Sequence, residues 1–182
     1  MEKRKVVIYI AASLDCYIAA EDDDLSWLEM VETPGEDYGY KTFIEGVDTV
    51  IMGRRTYEKV KSFGEEFIHK GRKCYVVSKT MTGSDDNVEY FGGELRELVE
   101  KLQSQPGKAI FVDGGGETIR SLRNEDLIDD YIVSIIPVML GRGIRLFPET
   151  DKEMRRELTL TSCKAYPSGL VQLNYQSAEE SL

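Results

Sequence analysis

Histidine is almost missing from this chain: one residue, His69, in 182. That leaves nothing for a His-based catalytic triad or a His-rich metal site. The three cysteines, Cys16, Cys74 and Cys163, are odd in number and widely spaced. No CxxC pair occurs, so neither a disulfide framework nor a zinc site is expected. Positive charge is scarce as well, with 23 Lys and Arg against 33 Asp and Glu and a net charge of −10. Such a field repels nucleic acid and anionic membranes. The apolar run after Met1-Glu2-Lys3-Arg4-Lys5 is too short for a signal core or a membrane span, so the expected compartment is the cytoplasm. G-x-G-x-x-G and G-x-x-x-x-G-K-[ST] are both absent, which argues against a standard Rossmann site and excludes a P-loop.

What is present reads as one globular domain over residues 1–182, with 41% hydrophobic and 31% charged residues. Val6 to Ala12 is a continuous apolar run suited to a central strand. Strands are also expected at Asp48–Met52, Cys74–Ser78, Val88–Phe91 and Ala109–Val112. Between them fall helices at Arg54–Lys61, Glu94–Leu102 and Glu117–Leu122. Asp24 is placed to cap a short helix through Met30, and Asp37 one running to Glu45. Beyond Leu127 the chain reads as strand alone: Ile128–Val138, then a hairpin of Leu158–Ala165 and Leu170–Gln176 turning at Pro167-Ser168-Gly169. Ser177 to Leu182 reads as a frayed end. The pattern predicts an α/β fold, a mostly parallel sheet with helices on both faces and a C-terminal antiparallel hairpin.

Three strand ends carry the functional signal: Val50-Ile51-Met52-Gly53-Arg54-Arg55-Thr56, Val76-Val77-Ser78-Lys79, and Ile110-Phe111-Val112-Asp113-Gly114-Gly115-Gly116-Glu117-Thr118. A strand that ends in glycine and opens a helix points free N–H groups at whatever lies beyond, and the helix dipole favours an anion there. Arg54 and Arg55 begin a helix, where a cation opposes the dipole. An anionic ligand would resolve that misfit, and so would two solvated side chains. Ser78 and Lys79 can hold a further phosphate, although a plain turn accounts for Lys79 equally well.

In this order the segments resemble the dihydrofolate reductase fold family, in the branch of the reductase domain of riboflavin-biosynthesis deaminase-reductases. Besides those strand ends, Ser13-Leu14-Asp15-Cys16-Tyr17-Ile18-Ala19, Leu25-Ser26-Trp27-Leu28 and Pro137-Val138-Met139-Leu140-Gly141-Arg142-Gly143 carry the resemblance, which covers nearly the whole chain. It implies NADPH lying across the sheet. Gly53, Arg54, Arg55 and Thr56 would meet its phosphates, Gly114, Gly115 and Gly116 its pyrophosphate, with Glu117 and Thr118 at the helix start that follows. Ser78 and Lys79 would lie near the 2′-phosphate, and Ala12, Ile18 and Ala19 would flank the nicotinamide. Ala20 to Ser26 matches a mobile lid followed by Trp27.

The resemblance also implies a small heterocyclic substrate. Asp37 stands where folate reductases place a buried carboxylate that grips the ring amino group and favours the protonated C=N. A helix cap is the competing reading. Arg72 matches the arginine that grips a substrate carboxylate; a solvated turn residue is the alternative. The activity implied is NADPH-dependent reduction of a pteridine or aminopyrimidine-like ring, with Asp37 and Trp27 as catalytic residues. A phosphoribosyl-aminopyrimidine reductase and a non-catalytic NADP-binding sensor remain open. The branch also suggests that Met139–Gly143 forms part of the substrate mouth or a homodimer contact, with Arg142 and Arg145 placed to meet a substrate phosphate; a surface loop is the competing reading.

Overall fold

A strand buried on both faces is apolar throughout. Val6–Ser13 (β1) meets that requirement at the centre of a nine-stranded sheet in the computed structural model, which describes residues 3–62, 64, 66–150, 153 and 155–178. The other strands are Tyr17–Ala19 (β2), Val47–Gly53 (β3), Lys73–Val77 (β4), Gly83–Ser84 (β5), Glu89–Phe91 (β6), Ala109–Val112 (β7), Asp130–Ile136 (β8), Ile144–Arg145 (β9), Leu158–Ala165 (β10) and Val171–Ser177 (β11). The α-helices are Tyr40–Glu45 (α1), Arg54–Ser62 (α2), Leu95–Gln103 (α3) and Gly116–Asn124 (α4). Across the large sheet the order is β10-β11-β8-β1-β7-β3-β4-β6-β5. The five pairings from β8 through β6 are parallel, and the β10–β11 hairpin and β5 close the edges antiparallel.

Strand alternation divides the core between the two faces. On one side Val6, Ile8, Ile110 and Val112 pack under α3 and α4. There Leu95, Leu98, Val99 and Leu102 recur at helical spacing and are all buried. On the other, Val50, Met52, Val76 and Phe111 meet Tyr57 of α2 and Tyr40, Phe43 and Ile44 of α1. Each fully buried Leu or Ile contributes about 1.5–3 kcal/mol of transfer free energy, so both helical layers are firmly held. Among the described residues no helix is long and apolar enough to cross a membrane.

Several expected boundaries shift for local reasons. β8 stops at Ile136 because Pro137 has no N–H to give the ladder. The helix expected from Asp24 to Met30 is a 3-10 helix over Ser26–Val31, and the Asp24 carboxylate accepts the Ser26 N–H at 3.0 Å before it. Ser177 does not fray. It ends β11, with its N–H on Asp129 O and its hydroxyl on Ile128 O. The rest of that terminal segment, 179–182, lies outside the described residues.

Candidate active site

The sheet parts at its centre. β1 pairs with β7 only from Val6 to Ile8, where Ile8 faces Val112, but it pairs with β8 as far as Ser13. From Tyr9 onward one edge of β1 therefore has no strand beside it. The space opens toward Asp113-Gly114-Gly115, where β7 gives way to α4.

Close backbone approach explains the glycines around this opening. The Gly53 N–H reaches Gly114 O, and the Gly115 N–H donates to Thr56 Oγ1 at 3.2 Å. A Cβ on Gly53 would stand 2.9 Å from Thr118 Oγ1, and one on Gly116 2.8 Å from Arg145 O. The structure thus brings Gly53, Thr56, Gly114, Gly115, Gly116 and Thr118 together. α4 carries no side-chain cap at Gly115, which leaves its first-turn N–H groups directed at the opening. That donor set fits the pyrophosphate of a dinucleotide. The Glu117 side chain is exposed, and its carboxylate accepts from Arg120 at 2.8 Å.

Arg54 and Arg55 are exposed and neither is idle. Arg54 pairs with Glu58 one turn on, and Arg55 makes two contacts to the Asp23 carboxylate, at 2.9 and 3.2 Å. Asp23 belongs to the acidic segment expected to form a lid, and this contact ties that segment to the first turn of α2. Ser78 is buried, its Oγ taking the N–H groups of Thr80 and Met81, while Lys79 is exposed at the end of β4. Ala12 and Ala19 are buried and Ile18 half-buried beside them.

A flap absent from the sequence expectations covers this region. β2 pairs antiparallel with β9, and Leu146 N–H adds a bond to Cys16 O. Asp15 ties the flap down: it accepts the Ser13 hydroxyl at 2.6 Å and the N–H groups of Leu140 and Gly141 at 3.1 and 2.7 Å. The Ser13 bond first, with those two N–H groups, holds its carboxyl down at about 2. Gly143, at φ +134°, fits only as glycine, because a Cβ there would lie 2.1 Å from Ala19 O.

Beside the parting, on the α1 face, lies a cavity of about 690 Å³. Tyr9 and Ala11 of β1, Ser134 and Ile136 of β8, and Tyr38 and Tyr40 form much of its wall. Tyr38, in a left-handed conformation at φ +56°, turns its carbonyl toward the Tyr9 hydroxyl at 2.8 Å and Gln172 Nε2 at 3.0 Å. Gln172 also reaches Ser134 Oγ at 3.2 Å. Burial, with the nearby Asp113 carboxylate, pushes the Tyr40 phenol up to about 12.

Asp37 lines the cavity, but the expectation of a buried carboxylate is corrected. The side chain is exposed and acts as a helix cap, accepting the Gly39 N–H at 3.0 Å and the Lys41 N–H at 2.9 Å. Those two bonds lower its pKa. Cap and cavity rim are the same residue. Arg72 stands outside the lining, its Nη2 donating to Ile44 O at the end of α1. The Trp27 indole donates to Asp24 O and packs on the Val31, Ile136, Tyr166 and Leu170 cluster, while its neighbour Leu28 reaches the cavity.

Sequence reasoning missed a buried pair. His69 is fully buried between Phe67 and Phe111, and its Nε2 lies 2.6 Å from Asp113 Oδ2 at the head of the triglycine. No local signal marks it, since the partners are 44 positions apart.

These features define an α/β protein of dihydrofolate-reductase-like fold, with its candidate site where the sheet parts. The chain belongs to the RibD C-terminal domain family, whose model matches residues 4–172. It is 40% identical to YwjB of Bacillus subtilis (strain 168), an uncharacterized protein, over 97% of this chain and 99% of that one. A solved structure of a Shewanella sp. PV-4 protein assigned to riboflavin biosynthesis superposes with a TM-score of 0.87 at 31% identity, covering 96% and 99% of the two chains. The dihydrofolate reductase of Enterococcus faecalis, complexed with NADP(H) and RAB-propyl, superposes with a TM-score of 0.65 at 15% identity, covering 96% and 97%. The latter likeness is one of fold.

Proposed function

We propose that this protein is an NADPH-dependent reductase that moves hydride onto a C=N bond of a pteridine or aminopyrimidine-like ring. The observation that carries the reading is the parting between β1 and β7, with a tyrosine-walled cavity on one side and the uncapped start of α4 at its mouth. The NADP(H)-bound reductase of like fold supports the choice of cofactor.

Bound NADPH supplies the hydride. The free N–H groups from Gly116 to Thr118 would hold its pyrophosphate, Arg54, Arg55 and Thr56 its further phosphate oxygens, and Ser78 and Lys79 the 2′-phosphate. Gly53 and Gly114 keep the path open, and Ala12, Ile18 and Ala19 flank the nicotinamide. Trp27 and the lid exclude water, so the chain's main work is orientation. Asp37 still has acceptor capacity beyond its two cap bonds and takes the ring amino group at the cavity rim. Solvent supplies the proton.

The test is NADPH oxidation, followed by absorbance, with dihydropterin and aminopyrimidine acceptors. Asp37→Asn is expected to cut turnover at least about tenfold, the cost of one charge-assisted hydrogen bond, with NADPH affinity unchanged. Equal loss of both removes Asp37 from the substrate. Tight NADPH binding without oxidation by any such ring leaves a cofactor-binding sensor instead.

A further inference from the structure

A phosphate monoester brings a charge of about −1.5 to −2 into a site and needs cations or converging N–H groups to hold it. Among the described residues this cavity offers no such cation. Its walls are apolar and aromatic, with Tyr9, Tyr38 and Tyr40 presenting rings among Leu28, Val31 and Leu170. The only charged side chains among the described residues that line it are Glu32, Glu36 and Asp37. The neighbouring cations lie outside the lining: Arg72 donates through Nη2 to Ile44 O and keeps a buried, unpartnered Nε, Lys164 sits 4.2 Å over the Tyr166 ring, and Lys41 flanks Asp37 from α1. The whole-chain charge of −10 adds a field of the same sign as the rim.

From these observations we infer that the cavity takes an unphosphorylated flat heterocycle, neutral or protonated on its amino-substituted ring, and rejects phosphate esters of the same ring. Tyrosine faces attract a flat cation, and three carboxylates at the mouth raise its local concentration while lowering that of an anion. The inference rests on the reductase reading only for the cavity's role as substrate site, and it selects against a phosphoribosyl compound as that substrate.

Calorimetric titration of the full chain, with NADPH present, tests it with a matched pair: 6-hydroxymethyl-dihydropterin and its phosphate monoester. The unphosphorylated compound is expected to bind at least about tenfold tighter, a margin one or two screened unit charges at close range supply. The double variant Glu32→Gln, Glu36→Gln should narrow that gap about fivefold. Both side chains are exposed, and the acceptor that Glu36 offers the Tyr38 N–H survives in glutamine. Equal or tighter binding of the monoester overturns the inference, as does a gap the double variant leaves unchanged, or failure of both compounds to bind. NADPH oxidation separates the two readings. The expected binding order without oxidation sinks the reductase and keeps the substrate class, whereas oxidation driven by the monoester does the reverse.

Discussion

His69 is the residue whose role depends most on the fold and least on its neighbours in sequence. It is fully buried, edge-on to Phe67 and Phe111, with Asp113 as its polar partner. Replacing it with alanine would empty an aromatic-lined space and leave the Asp113 carboxylate short of a hydrogen bond. Cavity and desolvation costs together are expected to lower stability by about 2–4 kcal/mol, read as a fall in the urea midpoint with the slope unchanged. A loss below about 0.5 kcal/mol would show that the pair contributes little. Asp37 illustrates the opposite case. Its position, one step before a Tyr-Gly-Tyr turn and a helix, announced a cap, and that was legible; its substrate role came only from the family resemblance. What the sequence left hidden was exposure, because burial depends on how α1 and the preceding loop sit against β1 and β8.

At the scale of elements, most strands and helices were readable because each carries its own pattern: continuous apolar runs for β1 and β7, and i, i+3, i+4, i+7 spacing for α3. The β2–β9 flap was not, since strands of three and two residues hold too few positions to show a period, and their partners lie far apart in the chain. Asp15 makes that flap cohere, and its chemistry gives a pH dependence. Its folded pKa of about 2 lies below the ordinary 3.8, so the fold favours the carboxylate. The stability this supplies is complete above about pH 4 and is lost as pH falls through about 2. Thermal melts should therefore show Asp15→Asn less stable than the parent near neutral pH, with the difference closing between about pH 4 and pH 2. A gap that stays constant over that range would mean that the Asp15 bonds do not depend on its charge.

For the molecule as a whole, the sense of strand pairing was the legible part, and the strand order and the parting of the sheet the illegible part. Alternating strand and helix up to α4 dictates parallel pairing, and a final strand-only region dictates an antiparallel edge. That β1 leaves β7 after Ile8 depends on the triglycine turning the chain into α4, and no residue of β1 signals it. On the proposed reading the cofactor is held by several elements at once: α2, α4, the end of β4 and the acidic segment that Asp23 ties to Arg55. A ligand spanning so many elements binds the folded chain alone, so it must raise the unfolding temperature by mass action. At about a hundred times its dissociation constant, NADPH should add about 2.7 kcal/mol, which for a chain of 182 residues is a rise of about 5–10 °C. NADH lacks the 2′-phosphate assigned to Ser78 and Lys79 and should give a clearly smaller rise at the same concentration. The Lys79→Ala variant should bring the two cofactors closer together, because Lys79 is exposed and its loss leaves the fold intact. Equal shifts for NADPH and NADH in the parent protein would place the 2′-phosphate elsewhere. No shift with either would remove the dinucleotide from the parting between β1 and β7.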